Sequence, residues 1–371
     1  MTSLSLLAVS CGSDSSSQDA TTTVAASDTT MAGTDTTMGS ETTSPPDVVP
    51  VEGTINGSGA TFPKAFYEEA IAAFTETNPK ATINYAGGGS GKGRQDLADQ
   101  LVDFAGTDGT IKEADLAGFK GGDVLYFPTV VAPITVSYNL SGVDALELDA
   151  EVIAKIFQRE IKNWNDPAIA ALNADATLPD QAITVVHRSD SSGTTGNFTK
   201  FLEKAVGADA GGIWKLGTDS TVEWAADTQA GEGNSGVAQI IQSTNGAIGY
   251  VDLSDATDAG LSFASVKNKA GEFVAPTLDG ASAAAGGAEI KDDLTFSAIW
   301  ADGAESYPIT AQTWIIAYKK QPDAGKAAVL KAFLTYILTE GQTIAPEVNF
   351  APLPSELDEK ALAQLDMFEI G

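Results

Sequence analysis

The chain has 371 residues, and its 21 Lys and Arg against 50 Asp and Glu give a formal net charge of −29. This charge excludes binding to nucleic acid or to an anionic membrane surface through bulk electrostatics. A single Cys and a single His exclude an internal disulfide and a Cys- or His-rich metal site. No apolar run of about 18 residues is present to span a bilayer.

The first 52 residues differ in composition from the rest of the chain. They are rich in Ser, Thr, Ala, Asp and Gly, and the first basic residue of the chain is Lys64. Such a segment cannot bury enough apolar surface to offset the entropy that it would lose on ordering. We therefore predict that residues 1–52 contain a signal remnant and a disordered tether.

Cys11 follows a short apolar segment at residues 4–10 and precedes a Ser-rich stretch. This order resembles the signal and lipidation site of a bacterial lipoprotein and predicts a lipid anchor at Cys11, with a plain secretory signal remnant as the alternative. No Lys or Arg precedes the apolar segment, although export signals begin with basic residues. Either the signal starts upstream or the segment is not a signal. Both interpretations of Cys11 place the folded body outside the cytoplasmic membrane, in the periplasm or on the cell surface.

From residue 53 the chain repeats a unit of short strand, Gly/Ser/Thr-rich loop and helix. The loops lie at residues 57–62, 87–93, 106–108 and 187–195. The predicted helices carry apolar residues, namely Phe66, Ala70 and Phe74 after Pro63, then Leu97 and Leu101, and finally Phe198, Phe201 and Leu202, all at helical spacing. A further predicted helical stretch contains Ile111 and Leu116. Strands alternating with helices predict an α/β fold with largely parallel sheets.

These four loops predict an anion site. Loops at the carboxyl ends of parallel strands collect along one crevice, and each of these loops precedes a predicted helix. A helix N-terminus offers unpaired amide donors and a partial charge of about +0.5. Several such termini pointing at one place bind an anion without any bulk basicity, so an acidic protein is able to do so.

Three motifs that suggest catalysis or metal binding do not hold. The segment Gly87–Gly93 resembles a nucleotide phosphate loop, but Ala86 and Gly93 occupy its first Gly and its Ser/Thr positions. Residues 233–236 lack the spacing of a nucleophile elbow, and the single His adjoins Arg188, which disfavours an imidazolium intermediate. No calcium-binding loop pattern is present. We therefore predict no catalytic residue, no metal site and no cofactor.

The segment Arg188–Thr195 carries more chemistry than the other loops. Within eight positions it combines a planar guanidinium, the acceptor Asp190, several hydroxyls and the amides of a helix start. Taken alone, this segment is also compatible with a capped helix beside a surface Arg. Together with the other three loops, it favours anion binding.

Eight segments, in order along residues 54–355, resemble the substrate-binding protein of the high-affinity phosphate ABC importer. They are Gly57–Pro63, Gly88–Gly91, Phe104–Asp108, Ile161–Pro167, Arg188–Thr195, Gly246–Val251, Tyr307–Ile309 and Ala351–Pro354. The resemblance implies a two-lobed α/β fold of the type II periplasmic-binding-protein kind, which closes on a hinge over one inorganic phosphate. It implies lobe I at residues 53–135 plus 310–371 and lobe II at 136–309. It also implies permease subunits as partners and a monomeric protein.

The resemblance also implies individual roles in phosphate binding. The first loop would supply backbone amides and a hydroxyl from Ala60, Thr61 and Phe62, and the second loop the hydroxyl of Ser90. Asp108 matches the carboxylate that accepts a proton from bound phosphate. Arg188 matches the guanidinium, held by Asp190, and the helix start would supply hydroxyl and amide donors from Ser192, Gly193 and Thr194. Two departures, Ser191 where Gly is frequent and Gly196 where a bulkier residue is common, remove no ligand-contacting group.

Three alternatives stay open. The first is a receptor for another oxyanion, which would be arsenate, sulfate or molybdate. Asp108 would select against fully ionised anions, because phosphate near neutral pH still carries a proton to donate and sulfate carries none. Asp108 would not exclude arsenate. The second is a phosphatase related by fold, and the third is a surface adhesin or signalling protein that kept the fold without transport.

Overall fold

A computed structural model describes residues 51–371. Cys11 and the predicted tether up to residue 50 lie outside the described residues. The strands are β1 (Gly53–Gly59), β2 (Ala81–Gly87), β3 (Phe104–Thr107), β4 (Val124–Asn139), β5 (Glu147–Leu148), β6 (Thr184–Arg188), β7 (Gln229–Gly231), β8 (Ala247–Asp252), β9 (Ser262–Phe263), β10 (Ser265–Lys267), β11 (Phe273–Val274), β12 (Thr310–Tyr318), β13 (Lys320–Gln321) and β14 (Glu369–Ile370).

The α-helices alternate with these strands. They are α1 (Lys64–Thr77), α2 (Ser90–Ala98), α3 (Ala150–Phe157), α4 (Pro167–Leu172), α5 (Gly193–Val206), α6 (Gly233–Ser243), α7 (Leu253–Asp258), α8 (Leu278–Gly286), α9 (Ala324–Ile337) and α10 (Ser355–Gln364). Short 3₁₀ helices lie at Glu113–Gly118, Ala208–Ala210, Glu340–Thr343, Ala345–Val348 and Leu365–Met367. Within the described part of the chain, no helix has both the length and the apolar content needed to cross a bilayer.

The main sheet has the strand order β2-β1-β3-β12-β4-β8-β6-β7, with β9 paired to β4. The strands at its two ends run parallel, with β1 between β2 and β3 at one end and β6 between β7 and β8 at the other. The central pairs β3–β12, β12–β4 and β4–β8 are antiparallel. The α/β class is confirmed. The prediction of largely parallel sheets is correct only at the ends, because β4 and β12 join the two ends in opposite directions.

Strand β4 lies at the centre of the main sheet and connects its two ends. Its residues Val124–Pro133 pair with β12, and its residues Ile134–Asn139 pair with β8. Its 16 residues are buried apart from the two terminal ones, which explains why its sequence is mostly apolar and does not alternate with exposed polar residues. The predicted lobe boundary between residues 135 and 136 falls inside this strand and stays a prediction.

Two predicted helical segments differ from the structure. Helix α2 ends at Ala98, and Leu101 beyond it is 70% exposed. The segment after β3 forms only a 3₁₀ helix, in which Leu116 is 50% exposed. The predictions that Leu101 lies in the helix after β2 and Leu116 in an α-helix after β3 are wrong, because each of these segments has too few apolar residues to anchor a longer helix. By contrast, the amphipathic face of α9 is confirmed, with Val329, Leu330, Phe333, Leu334 and Ile337 all buried.

The end of β1 requires glycine. Gly59 has φ +135°, and a β-carbon at this position would collide with the carbonyl oxygen of Gly106 on β3. The next amide, that of Ala60, donates to the same oxygen at 2.9 Å. A residue without a side chain therefore lets the two strand ends approach and turns the following loop towards the interior.

Candidate anion-binding site

The structure brings the predicted loops together at the carboxyl ends of the parallel strands. The residues that follow β1, β2, β3 and β6 include Ala60, Thr61 and Phe62, Ser90, Asp108, and the segment from Arg188 through Asp190 to Ser192, Gly193 and Thr194. Most of these residues are buried, with Ser90, Ser192 and Thr194 fully inaccessible and Asp108 and Arg188 exposed by 1% and 4%. We refer to this group as the anion site.

Asp108 is held by hydroxyl groups from two directions. Its Oδ1 accepts from Thr313 Oγ1 at 2.7 Å and its Oδ2 accepts from Ser90 Oγ at 3.2 Å, while its amide donates to Ser90 Oγ at 3.1 Å. Asn197 Nδ2 donates to the Asp108 carbonyl oxygen at 2.7 Å. The carboxylate is therefore fixed in orientation, as a proton acceptor for a buried ligand must be.

Burial raises the pKa of Asp108 to about 6. The hydrogen bonds from Thr313 and Ser90 and the charges of Arg188 and Arg94 act in the opposite direction and favour the carboxylate. The group therefore carries its charge at neutral pH and gains a proton as the pH falls through 6.

Arg188 forms a bidentate ion pair with Asp190. Its Nε donates to Oδ1 at 2.8 Å and its Nη2 donates to Oδ2 at 2.5 Å. Its Nη1 donates to Asn234 Oδ1 at 2.8 Å and to Thr194 Oγ1 at 3.3 Å. Because Asp190 holds two sides of the guanidinium plane, Nη1 is fixed in direction towards the starts of α5 and α6.

Elements from both ends of the sheet meet at the site. The backbone of Gly193 lies so close to the Ser90 hydroxyl and the Asp108 carboxylate that a β-carbon would have no room. The amide of Gly91 donates to the Ser191 carbonyl oxygen at 2.9 Å, and the amide of Asn234 donates to Thr61 Oγ1 at 3.3 Å. The structure thus has the two sets of loops in direct contact around the anion site.

Four backbone amides remain as donors for a ligand. Within residues 51–371, the amides of Thr61 and Phe62 donate to no acceptor, and those of Gly193 and Thr194 are in the first turn of α5, where no intrahelical acceptor exists. The amide of Ala60 is already bonded to Gly106. The side chain of Phe62 is buried against Phe350, with ring centroids 5.7 Å apart, so Phe62 offers only its backbone.

Helices α1, α2, α5 and α6 all begin at the site, and their N-terminal dipole ends add partial positive charge there. Ser192 caps α5, with Oγ accepting from the Thr195 amide at 3.1 Å, and its hydroxyl proton stays available to a ligand. The third loop differs from the prediction, since the segment between Asp108 and β4 contains a 3₁₀ helix and no α-helix. In place of helix amides, this loop supplies the Asp108 carboxylate, a proton acceptor surrounded by hydrogen-bond donors.

Sequence reasoning missed Asn234 and Thr313. Asn234 opens α6 and lies within residues 233–236, which lack the spacing of a nucleophile elbow. The strand–loop–helix pattern of β7 and α6 nevertheless marks these residues as a fifth loop of the same kind. Thr313 lies in an entirely buried strand and carries no local signal.

The single His has a structural role, because His187 stacks on Trp224 and forms hydrogen bonds with the Thr228 hydroxyl and the Arg188 carbonyl oxygen.

An acidic cavity of about 310 Å³, the first cavity, adjoins the anion site at Thr61, Phe62 and Gly233. Asp252 lines it, is 1% exposed, and accepts from the Asp255 amide at 2.9 Å. Burial raises the pKa of Asp252 well above its ordinary value, and the adjacent carboxylate of Asp255 raises it further. The folded protein therefore retains a proton here that the unfolded chain releases, and stability falls as the pH rises above about 4, the ordinary Asp value.

Replacing Asp252 by Asn should remove this loss. We expect Asp252→Asn to stabilise the protein at pH 8 by about 1–3 kcal/mol relative to its effect at pH 4.5, since the amide keeps the acceptor for Asp255 without the charge. Thermal unfolding at both pH values measures the difference. Asp258→Asn, an exposed acid at the end of α7, the helix that Asp252 caps, is the matched control. An equal shift at both pH values would show that ionisation of Asp252 does not matter.

Within residues 51–371, no three His, Cys, Asp or Glu side chains come together in a way that could hold a metal ion. The groups that converge on the anion site are hydroxyls, amides, one guanidinium and one carboxylate. This set suits binding of a partly protonated oxyanion, and it defines a binding protein of the α/β class whose site is built from loops of both ends of the sheet.

Comparison with known proteins agrees with this assignment. Residues 16–340 match the family model described as a PBP superfamily domain. The chain is 38% identical over 319 residues to the phosphate-binding protein PstS of Pasteurella multocida, covering 84% of this chain and 89% of that protein. It is 36% identical over 341 residues to the phosphate-binding protein PstS of Methanocaldococcus jannaschii, covering 85% and 86%. The chain therefore belongs to the PBP superfamily and, within it, to the family of PstS phosphate-binding proteins.

Solved structures share the fold at lower identity. A high-affinity periplasmic phosphate-binding protein bound with phosphate matches with a TM-score of 0.70 and 23% identity, covering 84% of this chain and 94% of that one. The phosphate-binding protein of Stenotrophomonas maltophilia matches with a TM-score of 0.66 and 22% identity over the same shares. The two-lobed periplasmic-binding-protein fold class is thereby confirmed.

Proposed function

We propose that this protein is the extracytoplasmic substrate-binding component of an ABC importer, which captures inorganic phosphate and delivers it to the membrane permease. The observation that carries the proposal is the convergence of a fixed, buried carboxylate, Asp108, with Arg188, the hydroxyls of Ser90, Ser192 and Thr194 and four unbonded amides. The named relatives are phosphate-binding proteins, which supports the same ligand.

The chemistry follows from the separate roles of these groups. The amides, hydroxyls and guanidinium donate to the phosphate oxygens, and each such bond to a charged oxygen in a dry site is stronger than one between neutral groups. Asp108 accepts the proton that phosphate still carries near neutral pH. A site that offers donors to the charged oxygens and an acceptor to the one P–OH suits phosphate both in charge and in protonation.

The proposal includes two lobes, residues 53–135 plus 310–371 and residues 136–309, that close over phosphate. It is supported by the position of β4, which pairs with β12 up to Pro133 and with β8 from Ile134 onwards. Because Asp108 and Arg188 are buried in the structure, phosphate reaches them only when the loops separate. We expect small-angle scattering to show a smaller radius of gyration with phosphate than without. An unchanged radius would contradict lobe closure.

A lipid anchor at Cys11 and docking on permease subunits complete the proposal, with the folded body acting as a monomer. The anchor is supported by the lipoprotein-like order of residues around Cys11, and the permease by the importer family that the sequence resembles. Mass spectrometry of the protein extracted from membranes tests the anchor, since acylation adds a defined mass to the peptide containing Cys11.

Titration calorimetry with phosphate, repeated with sulfate, tests the function. We expect saturable 1:1 binding of phosphate and far weaker binding of sulfate. Equal binding of both anions would favour a general oxyanion receptor, and no binding of either would favour a surface protein that kept only the fold. Arsenate carries the same protons as phosphate, so it serves as a competitor of matched chemistry. A phosphate-release assay on a phosphomonoester separates this function from a phosphatase.

A further inference from the structure

A second cavity adjoins the anion site on another side from the first. Its volume is about 220 Å³, and it meets the anion site at Asp108 and Gly193, whereas the first cavity meets it at Thr61, Phe62 and Gly233. The buried core of the site, which includes Ser90 and Ser192, lines neither cavity. A ligand approaching as the loops separate therefore has two sides from which to come.

The two cavities have opposite charge. The first is lined by one base, Lys64, by the protonated Asp252, and by four further acids, which are Glu68, Glu232, Asp255 and Asp258. The second is lined by three bases, Arg94, Lys112 and Lys200, and by two acids, Asp108 and Asp219. In a chain with a net charge of −29, the second cavity is a local region in which an anion is attracted rather than repelled.

Two of these bases have no carboxylate partner. Lys112 Nζ pairs with Asp219 Oδ2 at 2.7 Å, but within residues 51–371 no Asp or Glu oxygen lies within 4.0 Å of Arg94 or Lys200. Arg94 Nη1 donates only to the Thr107 hydroxyl, at 2.9 Å. Burial lowers the pKa of both groups, and the neighbouring Lys204 and Lys291 lower that of Lys200 further. Two partly buried cations without a carboxylate in ion-pair contact keep donors for an anion that enters the cavity.

One glycine in the wall of the second cavity leaves room for a larger side chain. Gly196, in the first turn of α5, lines the cavity, and a β-carbon there would make only ordinary contacts, with no atom nearer than 3.7 Å. Across the cavity, the exposed Lys112–Asp219 pair joins a segment before β4 to one after β6. Such an exposed pair contributes little stability, so it is able to separate when the loops open.

We propose that phosphate reaches and leaves the anion site through the second cavity, with Arg94 and Lys200 as its first contacts. This inference rests on the proposed function, because it takes inorganic phosphate as the ligand. Unpaired cations at an entrance raise the association rate of an anion by electrostatic attraction, and this effect weakens as ionic strength rises. The acidic first cavity would repel the same ion.

Stopped-flow measurement of inorganic phosphate binding to the full chain tests the charge effect, with tryptophan fluorescence as the signal because Trp314 lines the cavity. We expect Arg94→Gln and Lys200→Gln each to slow association about three- to tenfold, to weaken its salt dependence and to leave dissociation within about twofold. Lys64→Gln, which removes the base of the first cavity, is the matched control and should leave association within about twofold. Slowing by Lys64→Gln alone would overturn the proposal, as would an effect of Arg94→Gln confined to dissociation.

A steric variant supplies a second test that does not depend on charge. Gly196→Leu narrows the second cavity and should slow association and dissociation in the same proportion, leaving Kd unchanged. Ser235→Leu, which narrows the first cavity from an exposed position, should change neither rate. The opposite pattern would place the path in the first cavity. A wild-type protein that shows no calorimetric signal with phosphate would refute the proposed function itself, whereas normal affinity with rates unaffected by these variants refutes only the path.

Discussion

Replacing Asp108 by Asn should let sulfate compete with phosphate. In the wild-type protein, the buried carboxylate accepts a proton from phosphate but meets only lone pairs on sulfate. At about 4 Å and an effective dielectric constant of about 20, the unscreened repulsion is about 4 kcal/mol for each pair of charges. Phosphate experiences this repulsion as well, but a charge-assisted hydrogen bond offsets it. We expect Asp108→Asn to reduce the preference for phosphate over sulfate on the order of 100-fold.

The same carboxylate predicts a pH dependence for sulfate binding. Burial raises the pKa of Asp108 to about 6, so the group is charged above this pH and protonated below it. We expect sulfate affinity of the wild-type protein to rise as the pH falls from 7.5 to 5, because the protonated acid no longer repels sulfate and is able to donate to it.

Calorimetric titration of both anions at pH 7.5 and 5 measures these two effects together. Asp108→Asn should show the weaker dependence of sulfate binding on pH, because its amide does not titrate. Asp258→Asn, an exposed acid outside the anion site, is the control for a change in overall charge. Unchanged discrimination at pH 7.5 in the Asp108 variant would rule out the carboxylate as the source of selectivity.

Replacing Arg188 by Ala should produce the largest loss of phosphate affinity. The side chain is buried, forms the bidentate pair with Asp190, and directs Nη1 to the starts of α5 and α6. Removing a buried charged group that contacts a ligand of opposite charge typically costs 2–5 kcal/mol or more of binding free energy, which corresponds to a loss of affinity on the order of 100-fold or more. Calorimetry with phosphate measures this loss, and thermal unfolding measures the accompanying loss of stability.

Two further variants separate binding from stability. Arg159→Ala breaks the pair of Arg159 with Asp227, away from the anion site, and should leave affinity unchanged. The double variant Arg188→Ala/Asp190→Asn removes the unpaired charge that the single variant leaves, so it should recover part of the stability but none of the affinity. Recovery of affinity together with stability would show that Arg188 acts only through the fold.

The sequence predicts the ends of the sheet better than its centre. The strand–loop–helix units around β1, β2 and β6 have local signals in their glycines, hydroxyls and helical spacing, and these elements lie where predicted. The antiparallel centre of the sheet has no such local signals, because β4 and β12 are buried on both faces. Their mostly apolar sequences do not specify the direction of the strand or the strand with which it pairs. Leu101 and Leu116 show the reverse error, in which apolar residues at helical spacing lie on the surface.

The site follows the same division. Thr61, Ser90, Asp108 and the segment from Arg188 to Thr194 each belong to a loop that its composition reveals, while their individual roles come from the resemblance to the phosphate-importer family. Thr313 could not, because its role depends on the pairing of β12 with β3, which sequence periodicity does not reveal. Asn234 could have been, since its loop has the same form as the others.

Strand β12 changes register against β4 between Thr313 and Trp314, and at this irregularity Thr313 reaches back to Asp108. The proton acceptor is therefore tied to the segment about which the proposed lobes would rotate, rather than to the outer part of either lobe. A group on a rotation axis moves least when the rest of the molecule swings. Opening would then carry Arg188 and the start of α5 away while the carboxylate keeps its place, so phosphate would lose the donors of this second lobe before it loses its acceptor.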